Sequence, residues 1–111
     1  MKIKTHDYNS VIVLELQGEL ESDSAEYFEQ NILQVISKKT QRIVLNMAEV
    51  DFIDSIGLSK LLWAKEVCSE KKCQFRLACL TENCLKILEI TGLANELATS
   101  TELSEAVKSF V

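Results

Sequence analysis

The residues best able to do chemistry stand together near the middle of the chain, in Val50-Asp51-Phe52-Ile53-Asp54-Ser55-Ile56-Gly57-Leu58-Ser59. A β-like run, Ile43-Val44-Leu45-Asn46-Met47, precedes them, and an amphipathic helical pattern follows from Leu58 to about Lys71. Ser55 therefore falls where a helix N-cap belongs. A hydroxyl there faces unpaired backbone N–H groups and the positive end of a helix dipole. That setting suits a structural cap, and it suits a phosphate equally well. Ile56 occupies the first helical turn, where a polar residue is the ordinary choice. It is either a staple into the core or an exposed contact for a partner. Phe52 divides the same way between core filling and interface anchor, whereas Trp63 reads as packing along its helix.

No other group assembles into a reaction centre. Asp51 and Asp54 bracket an apolar pair and could share a loop rim, which is a weak signal for paired acid–base work. His6 is the single histidine and lies far from any nucleophile, and three glycines are too few for a phosphate-cradling loop. Cys68, Cys73, Cys79 and Cys84 lack the short paired spacing of a structural zinc site. They read as buried free thiols acting as small hydrophobes, with only Cys73 beside a cation, Lys72. The roles an active site requires cannot be filled, so the expectation is a protein without catalysis, cofactor or metal.

The elements that would position Ser55 follow from periodicity. Residues 2–8 and Val11 to Gln17 predict two strands joined by a turn at Asn9-Ser10, a hairpin. Ile12, Leu14 and Leu16 share one face of the second strand. After Gly18-Glu19-Leu20-Glu21, either Ser22 or Asp23 can cap a helix running to about Ser37, with Glu26 as a capping-box partner for Asp23. Its apolar stripe is Ala25, Phe28, Ile32, Leu33 and Ile36, and Lys38-Lys39 closes it. Arg42 to Met47 predicts a third strand whose Val44 suggests cover on both faces. The helix after the serine buries Leu58, Leu61, Leu62, Ala64 and Cys68. Cys73 to Leu80 predicts a fourth strand, Thr81 caps a helix to Thr91 stopped by Gly92, Ala94 to Thr99 holds a short strand, and Glu102 to Phe110 a last helix. Strict alternation from Val11 onward argues for parallel strands joined by helical crossovers.

Composition narrows the class. The chain has 111 residues, 47% hydrophobic and 26% charged, which predicts one compact globular domain over residues 1–111. No apolar run is long enough to span a bilayer and the first residues lack a signal-peptide core, so a cytoplasmic protein without membrane insertion is expected. A net charge of -5 with no basic cluster argues against direct nucleic-acid binding. An acidic surface instead suits a protein partner with a basic patch.

At Phe52-Ile53-Asp54-Ser55-Ile56-Gly57-Leu58 the sequence resembles the anti-sigma factor antagonists, whose fold is the STAS domain. Leu16-Gln17-Gly18-Glu19-Leu20 resembles the family's strand end before its first helix. Ile43 to Met47 resembles the strand before its serine loop, and Leu88-Glu89-Ile90-Thr91-Gly92-Leu93 its third helix ending in glycine. The four motifs occur in order over nearly the whole chain. The resemblance implies an α/β fold: a single STAS-like domain with an N-terminal hairpin, then alternating strands and helices. Its mixed, mostly parallel sheet would have four to five strands, with helices packed mainly on one face.

The resemblance also implies a regulatory module, a monomer when free, working in a partner switch. Unphosphorylated, it would bind an anti-sigma factor that is also a serine kinase. Phosphorylation of Ser55 would release that partner, and a serine phosphatase would reset the cycle. Glu21, Asp54, Ile56, Gly57 and Leu58 match the positions that meet the partner, Gly57 fitting a close approach to the backbone. Two positions depart from the family pattern: Glu21 stands where an aspartate is common, and Ile56 where Ser, Thr or Ala is common. The alternative is a structural STAS subunit of a transporter or stress-signalling complex without sigma-factor output.

Overall fold

A computed structural model of the chain describes residues 1–37 and 42–110. Strands β1 (Lys2–Tyr8) and β2 (Val11–Gln17) pair antiparallel with Tyr8 opposite Val11. The two residues between them, Asn9 and Ser10, have φ of 50° and 71°. Two successive positive φ values give the tight turn whose twist matches the flanking strands, and Asn tolerates that region better than most residues. The Asp7 Oδ1 accepts the Ser10 N–H at 3.3 Å and steadies the turn.

The chain then runs through α1 (Ser22–Ile36), β3 (Arg42–Glu49), α2 (Ser55–Glu70), β4 (Gln74–Ala78), α3 (Glu82–Ile90), β5 (Thr99–Ser100) and α4 (Leu103–Lys108). The sheet order is β1-β2-β3-β4-β5, and every pairing after the hairpin is parallel. This is the mixed, five-stranded α/β sheet expected from the alternating pattern. Because side chains alternate across a strand, β3 serves both faces. Ile43, Leu45 and Met47 meet Phe28 and Ile32 of α1, Leu61 and Ala64 of α2, and Leu88 of α3 in the main core. Val44 points the other way, into a smaller cluster with Val11, Val13 and Ala78 under Ala106 and Phe110. Three helices therefore cover one face, while α4 covers part of the other.

Several boundaries differ from the sequence expectation, each for a local reason. Glu21, not Ser22 or Asp23, is the N-cap of α1. Ser24 rather than Glu26 completes that turn: its Oγ accepts the Glu21 N–H at 3.1 Å and donates to the Glu19 carbonyl at 2.7 Å. Two such bonds explain how a serine hydroxyl is buried there. Val35 lies in the buried stripe of α1, whereas Leu33 is 46% exposed. Lys38-Lys39 lies outside the described residues. Strand β4 is shorter than expected because Cys79 has a φ of 61°, a conformation that ends an extended run. Strand β5 is the two-residue Thr99–Ser100, and the last helix is Leu103–Lys108.

Candidate functional site

Two loops, after β2 and after β3, run side by side and create the surface that carries Ser55. The Gly18 N–H donates to the Glu49 carbonyl at 3.1 Å, Leu20 N–H to the Phe52 carbonyl at 3.0 Å, and Asp54 N–H to the Leu20 carbonyl at 3.2 Å. Leu20 and Ile53 form a parallel bridge, so the sheet continues briefly beyond its strands. Leu20, Val50 and Ile53 are buried and pin both loops to the core. A third element joins from below. The Thr81 hydroxyl and the Cys84 thiol both donate to the Val50 carbonyl, each at 3.1 Å, tying the start of α3 to the serine loop. Thr81 also caps α3 as expected, its Oγ1 accepting the Cys84 N–H at 3.2 Å.

Asp54, not Ser55, is the N-cap of α2. Its Oδ1 accepts the Gly57 N–H at 2.8 Å, and its Oδ2 accepts the Ser22 N–H at the start of α1 at 3.2 Å. One carboxylate thus closes donors on two helices, one through each oxygen. Ser55 becomes the first helical residue, exposed and released from capping duty. The first intrahelical bond runs from Leu58 N–H to the Asp54 carbonyl at 2.9 Å. The N–H groups of Ser55 and Ile56 precede it and remain available at the positive end of the helix.

Gly57 has an internal reason that the sequence did not disclose. It is buried against the Leu20 backbone. A Cβ at this position would overlap the Leu20 carbonyl oxygen and lie 2.9 Å from its carbonyl carbon and 3.0 Å from Ile53 Cγ2. The neighbouring loop approaches this backbone closely. Leu58 is half-buried and packs against the main core. Of the residues singled out by sequence, Glu21, Asp54, Ser55 and Ile56 share the outer surface, while Gly57 and Leu58 seat the helix.

The surface around Ser55 is apolar and acidic at once. Phe52 is 44% and Ile56 45% exposed, so Ile56 faces outward and is not a staple into the core. Beside them, partial desolvation and the charges of Glu19, Asp23 and Asp54 hold the Glu21 carboxyl above its ordinary range. Asp51 is exposed on the same loop, and both Asp54 oxygens accept from backbone donors. Burial pushes the Cys84 thiol up, with the Thr81 hydrogen bond opposing and Asp51 adding to it, which leaves a neutral donor to Val50. Sequence reasoning missed Leu20 and Ser22 as parts of this junction, and left Phe52 open between core filling and interface anchor. Phe52 carried a sequence signal as an aromatic residue beside a helix start, and its exposure sets it at the surface.

The STAS domain family model matches residues 2–106. A Bordetella bronchiseptica protein, BtrV, named as a candidate anti-sigma factor antagonist, is 24% identical over 110 residues, covering 99% of this chain and 95% of its own length. Among solved structures, a candidate anti-sigma factor antagonist from Thermotoga maritima superposes with a TM-score of 0.90 at 22% identity, covering 96% of this chain and 92% of that one. A sulfate transporter family protein from Wolinella succinogenes gives a TM-score of 0.81 at 20% identity, covering 94% and 87%. These superpositions establish the fold, which antagonist and transporter-family proteins share. Among the described residues no helix is long and apolar enough to cross a membrane.

Proposed function

Since the chain belongs to the STAS domain family over residues 2–106, we propose that it is an anti-sigma factor antagonist whose switch is phosphorylation of Ser55. The observation that carries this reading is an exposed Ser55 hydroxyl at the first position of α2, freed from capping by Asp54 and flanked by exposed Phe52 and Ile56. A hydroxyl needed as a cap would resist modification; this one is not needed. Similarity to BtrV along nearly the entire chain supports the same role. In this role residues 1–111 act as one cytoplasmic, non-catalytic unit.

In the unphosphorylated state, Phe52 and Ile56 supply apolar contact area, and Glu21, Asp23 and Asp54 select a partner with a basic surface. The partner is an anti-sigma factor with serine-kinase activity. A phosphate on Ser55 adds about −1.5 to −2 charge at neutral pH. The available N–H groups of Ser55 and Ile56 and the helix dipole accommodate it, so the fold survives. The complex does not. The phosphate stands between the two apolar contacts and beside carboxylates, where desolvation and like-charge repulsion both oppose docking. A serine phosphatase restores the binding form.

The test pairs the chain with a candidate kinase and ATP. A phosphate should appear on the peptide containing Ser55, and the complex should dissociate. Ser55→Ala should keep the complex and take up no phosphate, and Ser55→Asp should lose the complex. Phosphate incorporation elsewhere with Ser55 unmodified would refute the reading. Co-purification with membrane transporter subunits, unaffected by Ser55→Asp, would favour a structural subunit instead.

A further inference from the structure

At the far end of α2 two cysteines meet for a reason built into the backbone. The helix stops at Lys72, whose φ is 58°. The Lys72 N–H donates to the Ser69 carbonyl at 3.1 Å and the Cys73 N–H to the Cys68 carbonyl at 2.7 Å. This pair of bonds defines the left-handed helix stop, which brings the side chain after the left-handed residue onto the side chain five positions earlier. Those two positions are ordinarily filled by hydrocarbon side chains. Here they are Cys73 and Cys68.

Both thiols are free, and both are buried. Standard bond lengths, with the trigonal bend at the Cys68 carbonyl carbon, chained through the 2.7 Å Cys73–Cys68 backbone bond limit their Cα separation to about 6.6 Å. Disulfides span about 4.4–6.8 Å between α-carbons. The helix stop presses the two side chains together, and a hydrogen bond from the Cys68 thiol holds Cys73 below its ordinary range against the opposing effect of burial, while Cys68 is raised. Cys73 Sγ also lies 3.6 Å from the Gln74 carbonyl, which accepts its proton in the thiol form. Access comes from one side. Cys73 lines an open cavity of about 240 Å³ whose walls include Lys65, Ser69 and Arg76. That volume admits a small peroxide, since a water occupies about 30 Å³ in the liquid.

We infer that Cys68 and Cys73 form an oxidant-sensitive dithiol that closes to an intramolecular disulfide on reaction with hydrogen peroxide. The Cys73 thiolate attacks one peroxide oxygen, the O–O bond breaks, and the departing hydroxide takes a proton to leave as water. The resulting sulfenic acid is attacked by the Cys68 sulfur. The S–S bond forms, the S–O bond breaks, and a second water leaves carrying the Cys68 proton. Two thiols are oxidised by two electrons, and one peroxide is reduced to two waters. Reduction by a small dithiol or a thioredoxin-type protein reverses the change. Nothing in this step uses Ser55, so it stands or falls apart from the proposed switch.

The sequence provides its own readout, because Lys71 and Lys72 lie between the two cysteines. The reduced protein is treated with hydrogen peroxide, quenched in acid, alkylated in denaturant and cleaved with trypsin. The expected product is the peptide Glu66–Lys71 joined to Cys73–Arg76, lighter by two hydrogens than the separate peptides and split by reductant. It should rise from trace to the main form of both peptides, and Cys68→Ala should divert Cys73 to sulfinic acid at the same peroxide dose. Full alkylation of both cysteines after peroxide would overturn the inference. So would sulfinic acid on Cys73 with Cys68 present, or linkage of Cys73 to Cys79, Cys84 or a second chain.

Discussion

The N-terminal end of α2 is held by side chains reaching across loops, whereas its C-terminal end is closed by its own backbone. At the first end Asp54 accepts N–H groups from Gly57 and from Ser22 of another helix. Ser55 and Ile56 stay exposed in front of unused donors. At the second end paired backbone bonds close over Cys68 and Cys73, which are buried. A helix end whose last donors are left to solvent can accept and lose an anion without disturbing the core. An end whose carbonyls are satisfied internally fixes where the next strand begins. The same helix therefore joins an exchangeable terminus to a fixed one.

The sharpest test of this contrast is Gly57→Ala. A Cβ there overlaps a backbone carbonyl, which cannot rotate away as a side-chain tip could. Relief requires the Leu20 loop to move and to weaken its bond from Asp54 N–H. The expected loss is about 2–3 kcal/mol, in the upper range for overpacking, read as a lower denaturation midpoint in urea. Ser69→Ala, an exposed change near the other end, should stay within about 0.5 kcal/mol of wild type. A Gly57→Ala protein as stable as the Ser69→Ala protein would mean that the two loops are not locked.

Asp54→Ala should follow, costing about 1–2 kcal/mol, the range for a lost N-cap. The loss should appear as faster hydrogen exchange in the first turns of both α1 and α2, because the Ser22 and Gly57 donors lose the same acceptor. Exchange rising in α2 alone would show that the reach to Ser22 contributes nothing to holding the loops together. Asp54→Asn keeps one carbonyl acceptor and should recover about half the loss.

The contrast also marks what the sequence could disclose. Hairpin, alternation and the two-faced β3 were legible because each rests on local periodicity or turn chemistry, as with Asn9-Ser10 and Val44. Ser55 was legible as a position but not as a state. Asp54 and Ser55 are both competent caps, and the choice depends on Ser22, 32 residues before Asp54. Gly57 was noticed, yet its reason is the Leu20 carbonyl, which no local pattern reveals. Ile56 left two readings open until its exposure decided for the outer one. At the other end, Cys68 and Cys73 read correctly as buried free thiols, whereas Cys79 is only half-buried, and the approach of the first two follows from the positive φ of Lys72. Lysine gives no signal for that conformation.

The smallest expected effect concerns that lysine and has the opposite sign. A left-handed residue carrying a Cβ is strained by about 1–2 kcal/mol. Glycine removes the strain but costs about 0.5–1 kcal/mol through the greater freedom of the unfolded chain. Lys72→Gly should therefore stabilise the protein by about 0.5–1 kcal/mol. Helix α3 offers the control within the same molecule. It ends with Gly92 at φ 76°, Gly92 N–H donating to the Glu89 carbonyl at 3.1 Å and Leu93 N–H to the Leu88 carbonyl at 2.9 Å. An added Cβ at Gly92 meets open space, so Gly92→Ala isolates the backbone term from packing. It should destabilise by about what Lys72→Gly gains. Matching magnitudes of opposite sign, measured as paired shifts in denaturation midpoint, would show that both helices use one stop and differ only in the residues it presses together: Leu88 and Leu93 in one, two thiols in the other. A Lys72→Gly protein less stable than wild type would mean that the Lys72 side chain itself holds the turn, and the backbone account of why Cys68 meets Cys73 would fail with it.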